Sequence, residues 1–107
     1  MPTAPNRTSE YEISVAVLQI LIDRPDGAAT LPELRRFLPR HIDFTDDDNE
    51  LSDKRPGEHK WEQVLRNIQP HHDTPGNFIF EGYLRHLDGG GYAITAAGRR
   101  FIAKPDE

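Results

Sequence analysis

The sequence predicts a mainly α-helical domain with a small antiparallel β-hairpin. Apolar residues recur at helical spacing in segments that begin near Glu10, Leu31 and Gly57. Two short runs of strand-forming residues flank residues 88–91, Asp-Gly-Gly-Gly, which accept the positive φ angles of a tight turn. With 107 residues and no cysteine, the chain can build one compact core and has no disulfides to support it.

The two ends of the chain carry no apolar period. Residues 1–9 are polar and contain proline, and residues 105–107 are polar as well, so we expect flexible arms around a domain at residues 10–104. No stretch approaches the roughly 20 apolar residues of a membrane span. The start of the chain also lacks the charged-then-apolar layout of a secretion signal, so we expect a cytoplasmic protein without membrane contacts.

A first helix is predicted from Glu10 to about Asp23, with Ser9 as its N-cap. One face of this helix carries four apolar residues: Ile13, Val17, Ile20 and Leu21. A second apolar stripe consists of Val15, Leu18 and Ile22. Because a helix with one buried face does not need two stripes, either the fold encloses this helix or the second stripe is the surface of a homodimer.

Turn-forming residues follow at 24–27, Arg-Pro-Asp-Gly. Residues 28–30 are long enough only for a very short strand. Thr30 and Glu33 have the spacing of a capping box, so a second helix is expected over residues 31–38.

The acidic run at residues 45–50 favours a helix start, and we expect a short helix there that ends near Ser52. A longer amphipathic helix is predicted over residues 57–69. Its apolar stripe consists of Trp61, Val64, Leu65 and Ile68. Because this stripe faces the core, the polar residues of the helix must point outward.

The hairpin at residues 83–95 is the clearest local signal in the chain, and Thr95 is placed to cap a last helix over residues 96–103. The predicted order is therefore helix, very short strand, helix, short helix, long helix, hairpin, helix. This is the order of a winged helix-turn-helix domain. In that fold, residues 57–69 take the place of the recognition helix and the glycine-rich hairpin is the wing.

The charge is unevenly distributed. The formal net charge is −5, and residues 1–52 hold 5 basic and 10 acidic residues. Residues 54–100 hold 7 basic and 5 acidic residues. Phosphate contacts supply most non-specific affinity for nucleic acid, so the second half of the chain is the part expected to bind DNA. The acidic half is expected to be the solvated back of the molecule.

From about residue 10 to residue 103 the chain resembles the amino-terminal winged-helix domain of Mrr-type restriction endonucleases. One matching block is residues 54–68, KRPGEHKWEQVLRNI, which is similar to the basic, tryptophan-containing third helix of that family. The other is residues 82–102, GYLRHLDGGGYAITAAGRRFI, which is similar to its wing and closing helix. The matching positions of the second block are Ile94, Thr95, Gly98 and Arg99. The resemblance implies a domain that recognises DNA, in some members modified DNA, for an attached nuclease.

Two departures from the family pattern limit what the resemblance implies. Residues 71–81, HHDTPGNFIFE, form a longer segment than the corresponding part of the family. The chain also has no room for the nuclease core of the family's second domain, so we expect a module without catalytic activity. It is either a free-standing DNA-binding protein or one domain of a larger restriction-type protein.

Double-stranded DNA is the expected partner of the long helix and the wing. Amide side chains pair with adenine and guanidinium groups pair with guanine, so the expected base contacts are Gln63, Arg66 and Asn67. The expected phosphate contacts are Lys54, Arg55, Lys60 and Arg85. Further expected contacts are His59, His86 and Gly90.

Trp61 has two interpretations: it is either a core anchor, or a sensor whose indole edge detects a methyl group on adenine. No cofactor or metal is expected, because His71, His72 and Asp73 lack a third ligand at a diagnostic spacing. The alternative function is a protein-interaction module on the same winged-helix frame, in which the second stripe of the first helix and the acidic half bind a partner.

Overall fold

The computed structural model describes residues 8–53 and 56–102. Predictions for residues 1–7, Lys54, Arg55 and residues 103–107 therefore lie outside the described residues. The described residues form α1 (Glu10–Ile22), β1 (Ala28–Ala29), α2 (Leu31–Phe37), a 3₁₀ helix (Leu38–Arg40), α3 (Lys60–Asn67), β2 (Leu84–His86), β3 (Tyr92–Ile94) and α4 (Ala96–Ile102). The coarse prediction of a mainly helical domain with a small antiparallel sheet is confirmed.

The sheet has three strands in the order β1, β3, β2. Both pairings are antiparallel, with Ala28 opposite Ala93 and Leu84 opposite Ile94. The very short first strand was therefore predicted correctly, and it adds an edge to the predicted hairpin. Among the described helices, none is both long and apolar enough to cross a membrane.

The core encloses α1. Its N-terminus is fixed by a capping box, in which Ser9 Oγ accepts the Glu12 amide hydrogen and the Glu12 carboxylate accepts that of Ser9. Leu18 is fully buried, and Val15 and Ile22 pack against the core. Because the fold itself covers much of the second apolar stripe, the structure agrees with the enclosed-helix alternative, and a homodimer through this helix stays a prediction.

The other two predicted caps are also present. Thr30 and Glu33 form the capping box of α2, and Thr95 Oγ1 accepts the Gly98 amide hydrogen at 2.9 Å at the start of α4. The chain continues beyond Phe37 as a 3₁₀ helix. Local cap chemistry was therefore a sound guide to where these helices begin.

The short helix predicted at residues 45–52 is wrong, because the segment forms turns instead. Thr45 and Asp48 bond to each other's backbone, with the Thr45 amide donating to Asp48 Oδ2 at 3.0 Å and the Asp48 amide to Thr45 Oγ1 at 3.1 Å. The carbonyl oxygens of Asp48 and Glu50 accept the amide hydrogens of Trp61 and Lys60. These carbonyl groups serve the first turn of α3, which orders the segment without a helix of its own.

The predicted long helix is shorter than expected, since α3 spans eight residues, Lys60–Asn67. Gly57 has a φ of +77°, which is outside the helical region, and His59 is the N-cap. At the other end, the carbonyl oxygens of Leu65 and Ile68 accept hydrogens from Tyr92 and Asn77 side chains. These side-chain donors satisfy the last turn and replace further helical bonds.

An aromatic cluster closes the core beside α4. Phe78 makes edge contacts with Tyr83 and Phe101, whose rings stack at a centroid distance of 4.5 Å. Asn77 Oδ1 accepts the amide hydrogens of Ile79 and Phe80, which caps a single turn at this point.

Candidate nucleic-acid interface

The apolar face of α3 lies in the core as predicted. Trp61, Leu65 and Ile68 are buried, and Val64 is partly buried. Trp61 is 6% exposed and stacks on Phe44 at a centroid distance of 4.4 Å. The indole is therefore a core anchor in this structure, and sensing a modified base with its edge remains a prediction.

The polar face of α3 is held by the segment that precedes the helix. Arg66 donates from Nε and Nη2 to the two carboxylate oxygens of Glu58, at 3.0 and 3.1 Å. Lys60 Nζ lies 2.9 Å from Glu50 Oε1. These two cations, both predicted to contact DNA, are thus engaged with carboxylates of the same chain.

Gln63, at the centre of the polar face of α3, also accepts a hydrogen bond from the chain itself. Ser52 Oγ donates to Gln63 Oε1 at 2.8 Å, which places the acidic segment across the outward side of the helix. Every residue of α3 is at least partly buried. The expectation that the acidic half, residues 1–52, forms the back of the molecule does not hold for Glu50, because its carboxylate contacts Lys60 of α3 although its side chain is 57% exposed.

The ion pair of Arg66 is well sheltered. The side chains of Arg66 and Glu58 are 25% and 11% exposed. The hydrogen bonds that Arg66 donates to Glu58 raise the pKa of Arg66 above its ordinary value, although burial opposes this shift. Two parallel charge-assisted bonds are a strong arrangement, so Arg66 has a defined position before any ligand arrives.

Asn67 lies on a different flank of α3 from Arg66. With Lys60 and Trp61 it lines a groove of about 390 Å³ between α3 and the start of α1, where Glu10 and Asp48 form the opposite wall. His59, which was expected on the outer face of the helix, is instead its N-cap, with Nδ1 3.1 Å from Glu62 Oε1. The predicted contacts thus divide between two flanks of the helix.

The hairpin carries the remaining predicted contacts. Arg85 and His86 are both exposed on β2, which is an edge strand. Gly90 is only partly exposed, and the turn lies against the start of α2, where Leu31 would be 3.8 Å from a Cβ atom at Gly90. The glycine turn is therefore packed against the domain and does not project as a long arm.

Tyr92 connects the hairpin with α3. Its hydroxyl group donates to the Leu65 carbonyl oxygen at 2.9 Å, and its ring centroid lies 6.0 Å from that of His86. Burial raises the pKa of Tyr92 to about 12, and the nearby Arg66 cation acts in the opposite direction. Arg66 and His86 are therefore both close to the same tyrosine, one on the helix and the other on the hairpin.

Sequence reasoning missed four residues whose side chains contact α3: Glu50, Ser52, Glu58 and Phe44. Glu58 and Arg66 are eight residues apart and belong to no common helix, since α3 begins after Glu58. The excess of acidic residues before α3 was visible in the sequence, but nothing local indicated that this segment would fold back.

No family model, curated protein or solved structure matches this chain.

Proposed function

We propose that this domain is a non-catalytic winged helix-turn-helix module that binds double-stranded DNA through α3 and the β2–β3 hairpin. The order of its elements and the strand order β1, β3, β2 support this proposal. The observation that carries most weight is the bond between Tyr92 and Leu65, because it holds the hairpin beside the end of α3. A duplex that meets Arg66 can then meet His86 as well.

The chemistry of the side chains suggests their roles. Arg66 already presents two parallel donors to a carboxylate, and the same fork fits the O6 and N7 acceptors of guanine. Gln63 and Asn67 carry amides that can pair with adenine. Lys60 and Arg85 are the proposed phosphate contacts on the helix and the hairpin.

The motif resemblance to Mrr-type endonucleases supports a more specific role. Such a module would recognise DNA in the cytoplasm for a restriction or regulatory system, including DNA with methylated bases. The groove beside Trp61 and Asn67 is the place where the domain could contact a modified base. A comparison of affinities for methylated and unmethylated duplexes tests this, and equal affinities would exclude it.

Fluorescence anisotropy with a random duplex at low salt is the direct test of DNA binding. DNA-binding proteins typically bind non-specific duplex with dissociation constants of about 10⁻⁴ to 10⁻⁶ M, so a titration to 100 μM covers the expected range.

Arg66→Ala should weaken specific binding by about 1–3 kcal/mol. The matched control is Arg36→Ala, since Arg36 is exposed on α2 and lies outside α3 and the hairpin. Absence of binding at 100 μM by the unmodified protein and by variants with fewer acidic groups would refute the proposal.

A second function is favoured by a separate observation. Tyr11, Leu51 and Phe80 are 57%, 61% and 51% exposed, and the polar face of α3 is covered by an acidic segment. Exposed apolar side chains and a covered polar face are also expected of a protein-interaction module with the same winged-helix fold. Salt dependence distinguishes the two, because DNA affinity falls steeply between about 50 and 200 mM salt.

A further inference from the structure

Three side chains from the described residues before α3 hold its polar face, and we call this group the acidic clasp: Glu50, Ser52 and Glu58. Each binds a different side chain of the helix, namely Lys60, Gln63 and Arg66. These three are all side chains that the proposed function assigns to DNA contact. The clasp and a duplex would therefore compete for the same groups.

Hydrogen bonds hold the acidic clasp in a fixed position. The Ser52 amide hydrogen is donated to the Glu58 carbonyl oxygen at 2.6 Å, and Leu51 forms a β-bridge with His59. Upstream, the buried carboxylate of Asp48 accepts hydrogens from Thr8 and Thr45. Backbone bonds thus anchor the segment on both sides of the carboxylates, so the clasp is positioned before any ligand is present.

Glu58 and a duplex would compete directly for the same donor groups of Arg66. Glu58 occupies the Nε and Nη2 donors, which form the fork that a phosphate or the edge of guanine would use. One guanidinium group cannot direct the same fork at two acceptors. Any duplex that uses this fork must first displace Glu58, and it must also overcome repulsion between that carboxylate and its own phosphates.

We infer that the acidic clasp is an autoinhibitory element that keeps α3 from binding arbitrary duplex DNA. This inference rests on the proposed function. A duplex without the target sequence makes only phosphate contacts, so it must displace the clasp without gaining base contacts. A duplex with matching bases replaces each lost contact with a new one. The clasp therefore lowers non-specific affinity and makes recognition more selective.

The test compares two variants that remove the same charge from the same segment. Glu58→Gln neutralises a carboxylate that binds Arg66, whereas Asp53→Asn neutralises an exposed one. Removing a competing ion pair of this kind should tighten binding to random duplex about fivefold. Asp53→Asn changes only the long-range field, so its effect should stay below about twofold.

A double-mutant cycle shows whether the gain acts through Arg66. In the Arg66→Ala background, Glu58→Gln should have no more effect than Asp53→Asn, because the released donor is absent. Circular dichroism melting checks that each variant folds. If Glu58→Gln does not fold, Glu50→Gln makes the same test through Lys60, since Glu50 is well exposed.

The outcomes separate the inference from the proposed function. If the unmodified protein binds DNA and the clasp variants match Asp53→Asn, the clasp is not inhibitory and DNA binding stands. If a clasp variant binds and the unmodified protein does not, both ideas are supported. If no folded variant binds random duplex at low salt, the proposed function fails and the inference fails with it.

Discussion

The hydroxyl group of Tyr92 donates its hydrogen to the Leu65 carbonyl oxygen at 2.9 Å, across 27 residues of sequence. Tyr92 lies on the central strand β3, and Leu65 lies in α3. Both residues are buried. One hydrogen bond therefore joins the sheet to the end of the helix at the place where the proposed DNA surface passes from one to the other.

Tyr92→Phe should destabilise the domain. The substitution keeps the ring but removes the donor, so the buried Leu65 carbonyl oxygen loses its side-chain partner. We expect a loss of about 1–2 kcal/mol in the free energy of unfolding, measured by urea denaturation. Tyr11→Phe is the control, because Tyr11 is exposed. Equal stabilities of the two variants would contradict the role assigned to this bond.

Alkaline pH should weaken the same contact. Burial raises the pKa of Tyr92 to about 12, whereas an unfolded tyrosine has a pKa of about 10. Between these values the folded protein holds a proton that the unfolded chain releases, so stability falls as pH rises. Below pH 10 the contribution is fully present. The stability difference between the unmodified protein and Tyr92→Phe should therefore shrink between about pH 10 and 12 in urea titrations. A constant difference would contradict this.

Much of the fold could be predicted because its signals are local. The capping boxes at Ser9 and Thr30, and the N-cap at Thr95, each depend on residues three positions apart. The hairpin was similarly predicted from the glycine run and the strand-like residues on either side. The apolar stripe of α3 followed from helical spacing alone.

The site could be predicted only in part, because contacts between residues outside any common element decide whether its polar side chains are free or already bound within the chain. Helical spacing indicated that Gln63 and Arg66 point away from the core. It could not indicate that Glu58 would bind Arg66, since the prediction placed both residues in one helix over residues 57–69, whereas α3 begins only at Lys60 and leaves Glu58 outside it. The length of α3 was overestimated for a related reason: amphipathic spacing continues past residues whose carbonyl groups are satisfied by Tyr92 and Asn77.

Asp48→Asn should destabilise the segment that carries the acidic clasp. Burial acts to raise the pKa of Asp48, but hydrogen bonds from Thr45 and Thr8 outweigh it and lower that pKa below its ordinary value. Asparagine would turn an amide group toward these donors. We expect a loss of about 2–3 kcal/mol at neutral pH, because hydrogen bonds to a charged acceptor are lost. Thermal unfolding measures this effect, and Asp46→Asn is the exposed control in the same segment.

Acid should have the same effect as this substitution. A carboxyl group with a lowered pKa contributes stability above its unfolded pKa, which is about 3.9 for aspartate, and loses that stability as pH falls through the folded value. The stability difference between the unmodified protein and Asp48→Asn should therefore decrease below about pH 4. A difference that is the same at pH 3 and pH 7 would show that the Asp48 charge does not matter.

Gly91→Ala should disrupt the hairpin far more than Gly89→Ala. Both glycines have positive φ angles, of +110° and +86°. At Gly91 an added Cβ atom would also collide with the Ala29 carbonyl oxygen and lie 2.8 Å from Thr30 Cα, whereas at Gly89 it would meet nothing within 4 Å. We expect about 1 kcal/mol at Gly89 from backbone strain and at least about 3 kcal/mol at Gly91. Urea denaturation gives both values, and similar losses would show that the turn is not packed against β1.

Arg85→Ala should lower DNA affinity to a similar extent for every sequence. Arg85 is exposed on edge strand β2 and forms no ion pair with the other described residues. It can therefore reach a phosphate without first breaking an internal contact, unlike Arg66. Losing one phosphate contact should reduce the slope of log affinity against log salt by about 0.9. Arg100→Ala, which removes another exposed cation, this one from α4, should leave the slope unchanged. Equal slopes for all three proteins would place the bound duplex away from the hairpin, because a phosphate bound by Arg85 releases a counterion that must appear in the salt dependence.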